Sequence, residues 1–69
     1  MRDWLTSARK AKKMTQGELA RVVGVSQRSI AAYEAGERTP TPRKAQEIGT
    51  ALDEPWVKFY EEEEGREDQ

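Results

Sequence analysis

The sequence contains no cysteine and no histidine. Without cysteine there can be no disulfide and no thiolate ligand, and without either residue the usual zinc sites are excluded. Cysteine nucleophiles and histidine acid–base catalysis are excluded as well. Neither a paired-carboxylate site nor a phosphate-binding glycine loop stands out, so we expect no enzyme, metal or cofactor.

Long apolar runs are also missing. Nothing approaches the roughly 20 apolar residues needed to span a bilayer, and no secretory signal is visible. The 69 residues suffice for one small domain. These features predict a soluble cytoplasmic protein without a membrane partner.

Charge is unevenly distributed along the chain, although the net charge is only −1. Residues 1–44 contain ten Lys or Arg and four Asp or Glu, whereas residues 45–69 contain two and nine. A basic front half favours a polyanionic partner, and an acidic end opposes nonspecific binding. We therefore divide the chain into a folded domain, residues 1–60, and an acidic tail, residues 61–69, expected to be disordered.

Apolar spacing predicts an all-α domain with no strands. A first helix over about residues 2–13 buries Leu5 and Ala8, with the stem of Lys12 along the core edge. A short fifth helix begins after Pro55. Capping residues mark the other boundaries: Thr15 and Gly24 for the second helix, Ser26 and Gly36 for the third, and Thr41 with Pro42 for the start of the fourth.

The second and third helices are joined through Gly24, which predicts a helix-turn-helix. Ala20 is small where the helices cross, Gly24 tolerates a positive φ, and Val25 points back into the core. On the third helix, steps of 100° place Ile30 and Tyr33 on a packed face.

The opposite face of the third helix begins with Gln27 and Arg28 and continues with Ala31 and Ala32. Long hydrogen-bonding side chains at the tip with small residues behind them suit a DNA major groove. Gln can pair with adenine, Arg with guanine, and an alanine methyl can contact a thymine methyl. The alternative is an ordinary polar helix face in solvent.

The segment from Thr15 to Pro40 reads TQGELARVVGVSQRSIAAYEAGERTP. It resembles the helix-turn-helix core of the Xre family, which includes lambdoid phage repressors and Cro proteins, and the resemblance covers about residues 3–60. It implies a five-helix, lambda-repressor-like domain that binds operator DNA as a dimer. The matching residues are Thr15, Gln16, Leu19, Ala20, Gly24, Val25, Ser26, Ile30, Tyr33, Glu34 and Gly36.

The resemblance also implies roles for individual residues. Gln27 and Arg28 occupy the principal base-reading positions, and Ala32 a third. Arg9 and Glu34 match a pair that forms an internal salt bridge in several relatives. The residues expected at the DNA backbone are Lys13, Gln16, Ser26, Arg38 and Arg43. For the cations the alternative is a solvated surface.

Three aromatic residues follow one another closely in the predicted fifth helix: Trp56, Phe59 and Tyr60. Aromatic residues are most often core, but one small domain cannot easily bury all three in so short a helix. They are therefore predicted to form a two-fold dimer contact.

The leading hypothesis is a sequence-specific DNA-binding transcriptional regulator, a repressor that binds a pseudo-palindromic operator as a homodimer. Small relatives include antitoxins, so a toxin or another regulatory protein is a further partner. The alternative is a protein-interaction module with the same fold and little DNA binding. The acidic balance of the chain favours that alternative, as does Ala35, which stands where many members have asparagine.

Overall fold

The computed structural model describes residues 1–61, which form helices and, within that range, no strand. The helices are α1 (Asp3–Ala11), α2 (Gln16–Val23), α3 (Gln27–Ala35) and α4 (Pro42–Leu52). A final helical turn covers residues 58–61. The predicted all-α class is therefore confirmed. Glu61 belongs to this turn, and the remainder of the predicted acidic tail lies outside the described residues.

Side-chain caps begin three of the helices at the predicted positions. Thr15 Oγ1 accepts from the Glu18 N–H at 3.0 Å, and Glu18 Oε1 accepts from the Thr15 N–H at 2.8 Å, which completes a capping box. Ser26 Oγ accepts from the Ser29 N–H at 3.1 Å. Thr41 caps α4 in the same way. These bonds satisfy N–H groups that have no acceptor within the helix.

The two predicted glycine stops adopt the left-handed conformation. Gly24 has φ +74° and Gly36 has φ +80°, a region that glycine enters without a side-chain penalty. After Gly24 the Val25 N–H donates to the Ala20 carbonyl at 3.0 Å. The chain thus leaves α2 and enters α3 after only three residues, as the helix-turn-helix requires.

The first helix is shorter than predicted. It ends at Ala11, and Lys13 takes a left-handed φ of +59° in the turn that follows. Arg9 Nη1 closes this turn by donating to the Met14 carbonyl at 2.7 Å. Lys12 is exposed, and its Nζ pairs with Asp53 Oδ2 at 2.6 Å on the surface.

The core lies where α2 contacts both α3 and α4, and the end of the described chain closes it. Its fully buried apolar residues are Leu5, Leu19, Ile30, Ala45, Ile48 and Phe59. Gly49 lets the segment after α4 cross that helix. A Cβ at Gly49 would lie 2.6 Å from the Glu54 carbonyl oxygen and 3.2 Å from Trp56 Cβ, so a larger residue would push the segment away.

The three aromatic residues after Pro55 are placed differently from one another. Phe59 is completely buried, with its ring 4.9 Å from that of Trp4 in an edge-to-face arrangement. The prediction that Phe59 contacts a second copy is therefore wrong, because the side chain has no accessible surface. Trp56 and Tyr60 are half-buried and form a second edge-to-face pair at 5.8 Å.

Candidate nucleic-acid interface

The first turn of α3 presents its long polar side chains to solvent. Gln27 and Arg28 are both exposed, although Ile30, two residues later, is completely buried. Ser26 caps the turn through its own side chain and does not engage either residue. Among residues 1–61, the Arg28 side chain makes no hydrogen bond or ion pair. None of these residues therefore engages its guanidinium donors, which can serve a ligand.

The N-terminus of α2 lies directly beside this turn. A Cβ built on Gly17 would be 3.5 Å from Gln27 Oε1, so the two helices begin on one continuous surface. The first N–H groups of a helix lack intrahelical acceptors and lie at the positive end of its dipole. A phosphate reaching α3 from this side would meet those N–H groups, as anions do at other helix N-termini.

Gln16, the first residue of α2, is partly turned inward. Its Nε2 donates to Glu34 Oε1 at 3.1 Å, and the residue is half-buried. One side-chain N–H is thus committed to the protein. A backbone contact at Gln16 would use its main-chain N–H or the second amide proton.

Glu34 holds three helices together from near the C-terminus of α3. Its Oε2 accepts from Arg9 Nε at 2.6 Å, and its Oε1 accepts from Thr6 Oγ1 and Gln16 Nε2, each at 3.1 Å. The Arg9 and Glu34 side chains are only 11% and 6% exposed. The predicted internal ion pair is present and joins α1 to α3, while the Gln16 hydrogen bond holds the start of α2 against α3.

Two opposing effects act on the Glu34 carboxyl. Burial by itself would raise its pKa. The hydrogen bonds from Arg9, Gln16 and Thr6, together with the Arg9 charge, outweigh burial and hold the pKa below its ordinary value. Glu34 is therefore an ionised buried group at neutral pH, supported by every polar neighbour described above.

Ala32 does not reach the exposed face. It is only 9% exposed, and its carbonyl accepts from the Glu37 N–H at 3.0 Å as the chain leaves α3. The prediction that Ala32 reads a base is therefore corrected. Ala35, one turn further on, is exposed.

The three predicted phosphate-binding cations are all exposed, two of them between helices and one at the start of α4. Lys13 is in the turn before α2, and Arg38 is in the loop after α3. Arg43 is in the first turn of α4, beside the C-terminal end of α2, where it lines a groove with Val22.

Residues 5–59 match the family model described as helix-turn-helix. The chain belongs to the Xre-like helix-turn-helix family. It is therefore a DNA-binding regulator in general terms, and the family is not typically enzymatic. No curated protein and no solved structure matches the chain. Within residues 1–61, none of the helices has the length and apolar character to cross a membrane.

Sequence reasoning missed two structural residues of this helix-turn-helix protein. Arg2 is 2% exposed, and its guanidinium donates to the loop after α3. No local pattern marks such a residue, because its acceptors are 31 to 37 positions away. Lys44 was also missed: its Nζ donates to the Val23 carbonyl at 2.7 Å and so ties α4 to the end of α2.

Proposed function

We propose that the protein is a transcriptional repressor that binds a pseudo-palindromic operator as a homodimer. Residues 1–60 would form the DNA-binding domain and would place the first turn of α3 in the major groove. The observation that carries the proposal is the exposure of Gln27 and Arg28 on a helix whose other end is locked inside the domain. A rigid helix with an unoccupied tip suits direct base readout.

The two exposed side chains have complementary preferences for bases. Glutamine offers an acceptor and a donor that match the N6 and N7 groups of adenine, and arginine offers two parallel donors for O6 and N7 of guanine. Each half-site would then contain an A·T pair read by Gln27 and a G·C pair read by Arg28.

Phosphate contacts would surround these bases. Gln16 and Ser26 lie at helix starts, where main-chain N–H groups point outward. Lys13 and Arg38, from the turns before α2 and after α3, and Arg43, from the first turn of α4, would add charged contacts. Such contacts contribute to affinity for any sequence, and each steepens the dependence of binding on salt concentration.

Dimerisation would use the surface around Trp56 and Tyr60. Both are half-buried, and Val57 between them is 42% exposed, so this surface offers apolar area to a second copy. A two-fold dimer on DNA places its recognition helices about 34 Å apart, one turn of the duplex. Sedimentation at tens of micromolar protein, with and without operator DNA, should show two copies; a monomer in both cases would exclude the dimer.

Selection of bound duplexes from random DNA tests the whole proposal. We expect an enriched inverted repeat, and we expect the variant Arg28→Ala to lose the preference at one base pair of each half-site. Enrichment of one unrepeated half-site would support sequence-specific base contacts and would contradict binding as a dimer. Absence of any enrichment at low salt would overturn sequence-specific binding.

A second candidate is a protein-interaction module, with a toxin or another regulator as partner. A groove of about 500 Å³ between α2 and α4 favours it, because Val22 on its rim is 62% exposed. A gel-shift on genomic fragments separates the candidates. Failure to shift any fragment at low salt would favour the interaction module.

A further inference from the structure

Arg2 is a charged side chain enclosed by the protein. It is 2% exposed, and its guanidinium donates to three acceptors. Nη1 donates to the Tyr33 carbonyl at 2.6 Å and to the Arg38 carbonyl at 2.7 Å, while Nη2 donates to Thr39 Oγ1 at 2.8 Å. One side chain thus joins the last turn of α3 to the loop that follows it.

The site suits a planar cation for two reasons. The carbonyl end of a helix carries partial negative charge, so a guanidinium beside Tyr33 is favourably placed. The Arg2 Cζ also lies 5.2 Å from the centre of the Phe59 ring, within range of a cation–π contact. The Arg2 main-chain N–H adds a bond to the Glu34 carbonyl at 2.8 Å.

The consequence for Arg38 is that its backbone is held on both sides. Its N–H donates to the Ala32 carbonyl at 3.4 Å, and its own carbonyl accepts from Arg2 at 2.7 Å. The Arg38 side chain itself is exposed. A cation that extends from a fixed backbone loses less conformational freedom when it binds a phosphate than one on a loose loop.

We propose that Arg2 is a positioning residue for DNA binding, which holds Arg38 in a fixed place relative to the base-reading turn of α3. The proposal rests on the proposed function, since it assumes that Arg38 contacts a phosphate. Lysine could not replace Arg2 fully. An ammonium carries its donors on one atom, whereas the three acceptors here are shared between the two arms of a guanidinium fork.

The test is a double-mutant cycle with Arg2→Lys, which keeps the charge, and Arg38→Ala. Affinity for the selected operator and for scrambled DNA is measured at several salt concentrations, at a temperature where circular dichroism shows all four proteins folded. We expect Arg2→Lys alone to weaken binding to both duplexes about threefold to tenfold. In the Arg38→Ala background the same change should alter affinity less than about twofold.

A merely structural role would give a different result. If Arg2→Lys weakens binding equally with and without Arg38, Arg2 does not act through Arg38, and the inference is overturned while DNA binding stands. If the wild-type protein binds DNA and Arg38→Ala binds it with the same affinity, the phosphate contact and the inference both fail. A wild type that binds no DNA would overturn the proposed function itself.

A milder variant covers the case in which Arg2→Lys does not fold. Thr39→Val removes only the hydroxyl that accepts from Arg2, at an exposed position. It should weaken binding in the same direction and again lose its effect in the Arg38→Ala background. Thr50→Val, at an exposed position on α4, is the matched control and should leave affinity unchanged. Equal effects of the two threonine variants would contradict the inference.

Discussion

The two ends of α3 are built for different tasks. At the N-terminal end, Gln27 and Arg28 are exposed. At the C-terminal end, Tyr33 and Glu34 are 6% and 4% exposed and are bonded to residues from α1, α2 and the N-terminus. Nine residues thus contain one turn that is available to a ligand and one turn that holds the domain together.

This difference separates stability from recognition within a single helix. Substitutions at the buried end remove contacts between helices and should lower the free energy of unfolding. Substitutions at the exposed end remove nothing that the folded chain uses, so they should change only binding. The predictions below test whether that separation is as complete as the contacts indicate.

The largest effect is expected from Glu34→Ala. Removing one partner of a buried ion pair leaves the Arg9 charge uncompensated, which costs about 3–5 kcal/mol and for a domain of this size approaches the whole stability. Chemical denaturation monitored by circular dichroism measures the loss. A melting temperature within a degree or two of wild type would contradict the prediction.

The chain provides a matched control for this variant. The pair between Lys12 and Asp53 has the same N–O distance of 2.6 Å, but its side chains are 42% and 77% exposed. Solvent screens such a pair, so Lys12→Ala should leave stability nearly unchanged. Similar losses for Lys12→Ala and Glu34→Ala would show that burial does not decide the strength of the two pairs.

At the exposed end, Arg28→Ala should change specificity without changing stability. A good bidentate base contact contributes about 1–3 kcal/mol of discrimination, so binding to the operator should weaken and the preference for one base pair, most simply a G·C pair, should disappear. Titrations on operator and scrambled duplexes measure both effects. An equal loss on the two duplexes would identify Arg28 as a phosphate ligand and would refute the proposed orientation of α3.

Arg38→Ala should affect all DNA sequences alike, because a phosphate contact carries no sequence information. We expect weaker binding to operator and scrambled DNA together, and a salt slope reduced by about one. The Arg28→Ala titrations are the comparison. A loss confined to the operator would place Arg38 at a base and not at the backbone.

The smallest effect concerns pH. The folded-state pKa of Glu34 lies below its ordinary value, so its contribution to stability is present above the unfolded pKa and is lost as pH falls through the folded one. When the pH is lowered from about 5 to about 3, the melting temperature of Glu34→Gln should therefore fall less than that of the wild type. The Asp53 pKa is lowered too, by its hydrogen bond from Lys12, but solvent screens this exposed pair, so it should add little to the acid sensitivity of either protein. Identical pH profiles would contradict the prediction.

The helix boundaries could be predicted from sequence where the cause is local. Thr15, Ser26 and Thr41 cap helices through bonds that span three residues, and Gly24 and Gly36 stop helices through their own backbone angles. The Arg9–Glu34 pair could be predicted only from the family resemblance. The positions of the exposed residues at the start of α3 followed from helical periodicity.

The wrong predictions for Ala32 and Phe59 and the missed burial of Arg2 share a different cause. Periodicity places a residue on one side of its own helix, but it does not show what else covers that side. Ala32 is covered by the chain after α3, and Phe59 by α1 and Arg2. Arg2 donates to two main-chain carbonyls, which every residue carries, and to one distant hydroxyl, so the pattern of side chains does not predict its burial.

The Ser26 cap has a consequence for how such a protein could diverge. Its bond to the Ser29 N–H caps α3 without using the side chains at positions 27 and 28. After gene duplication, one copy could therefore exchange those two side chains, acquire another target sequence and still fold as before. For an engineer, the pair is a natural place to randomise when new DNA targets are sought, with the rest of the domain left as it is.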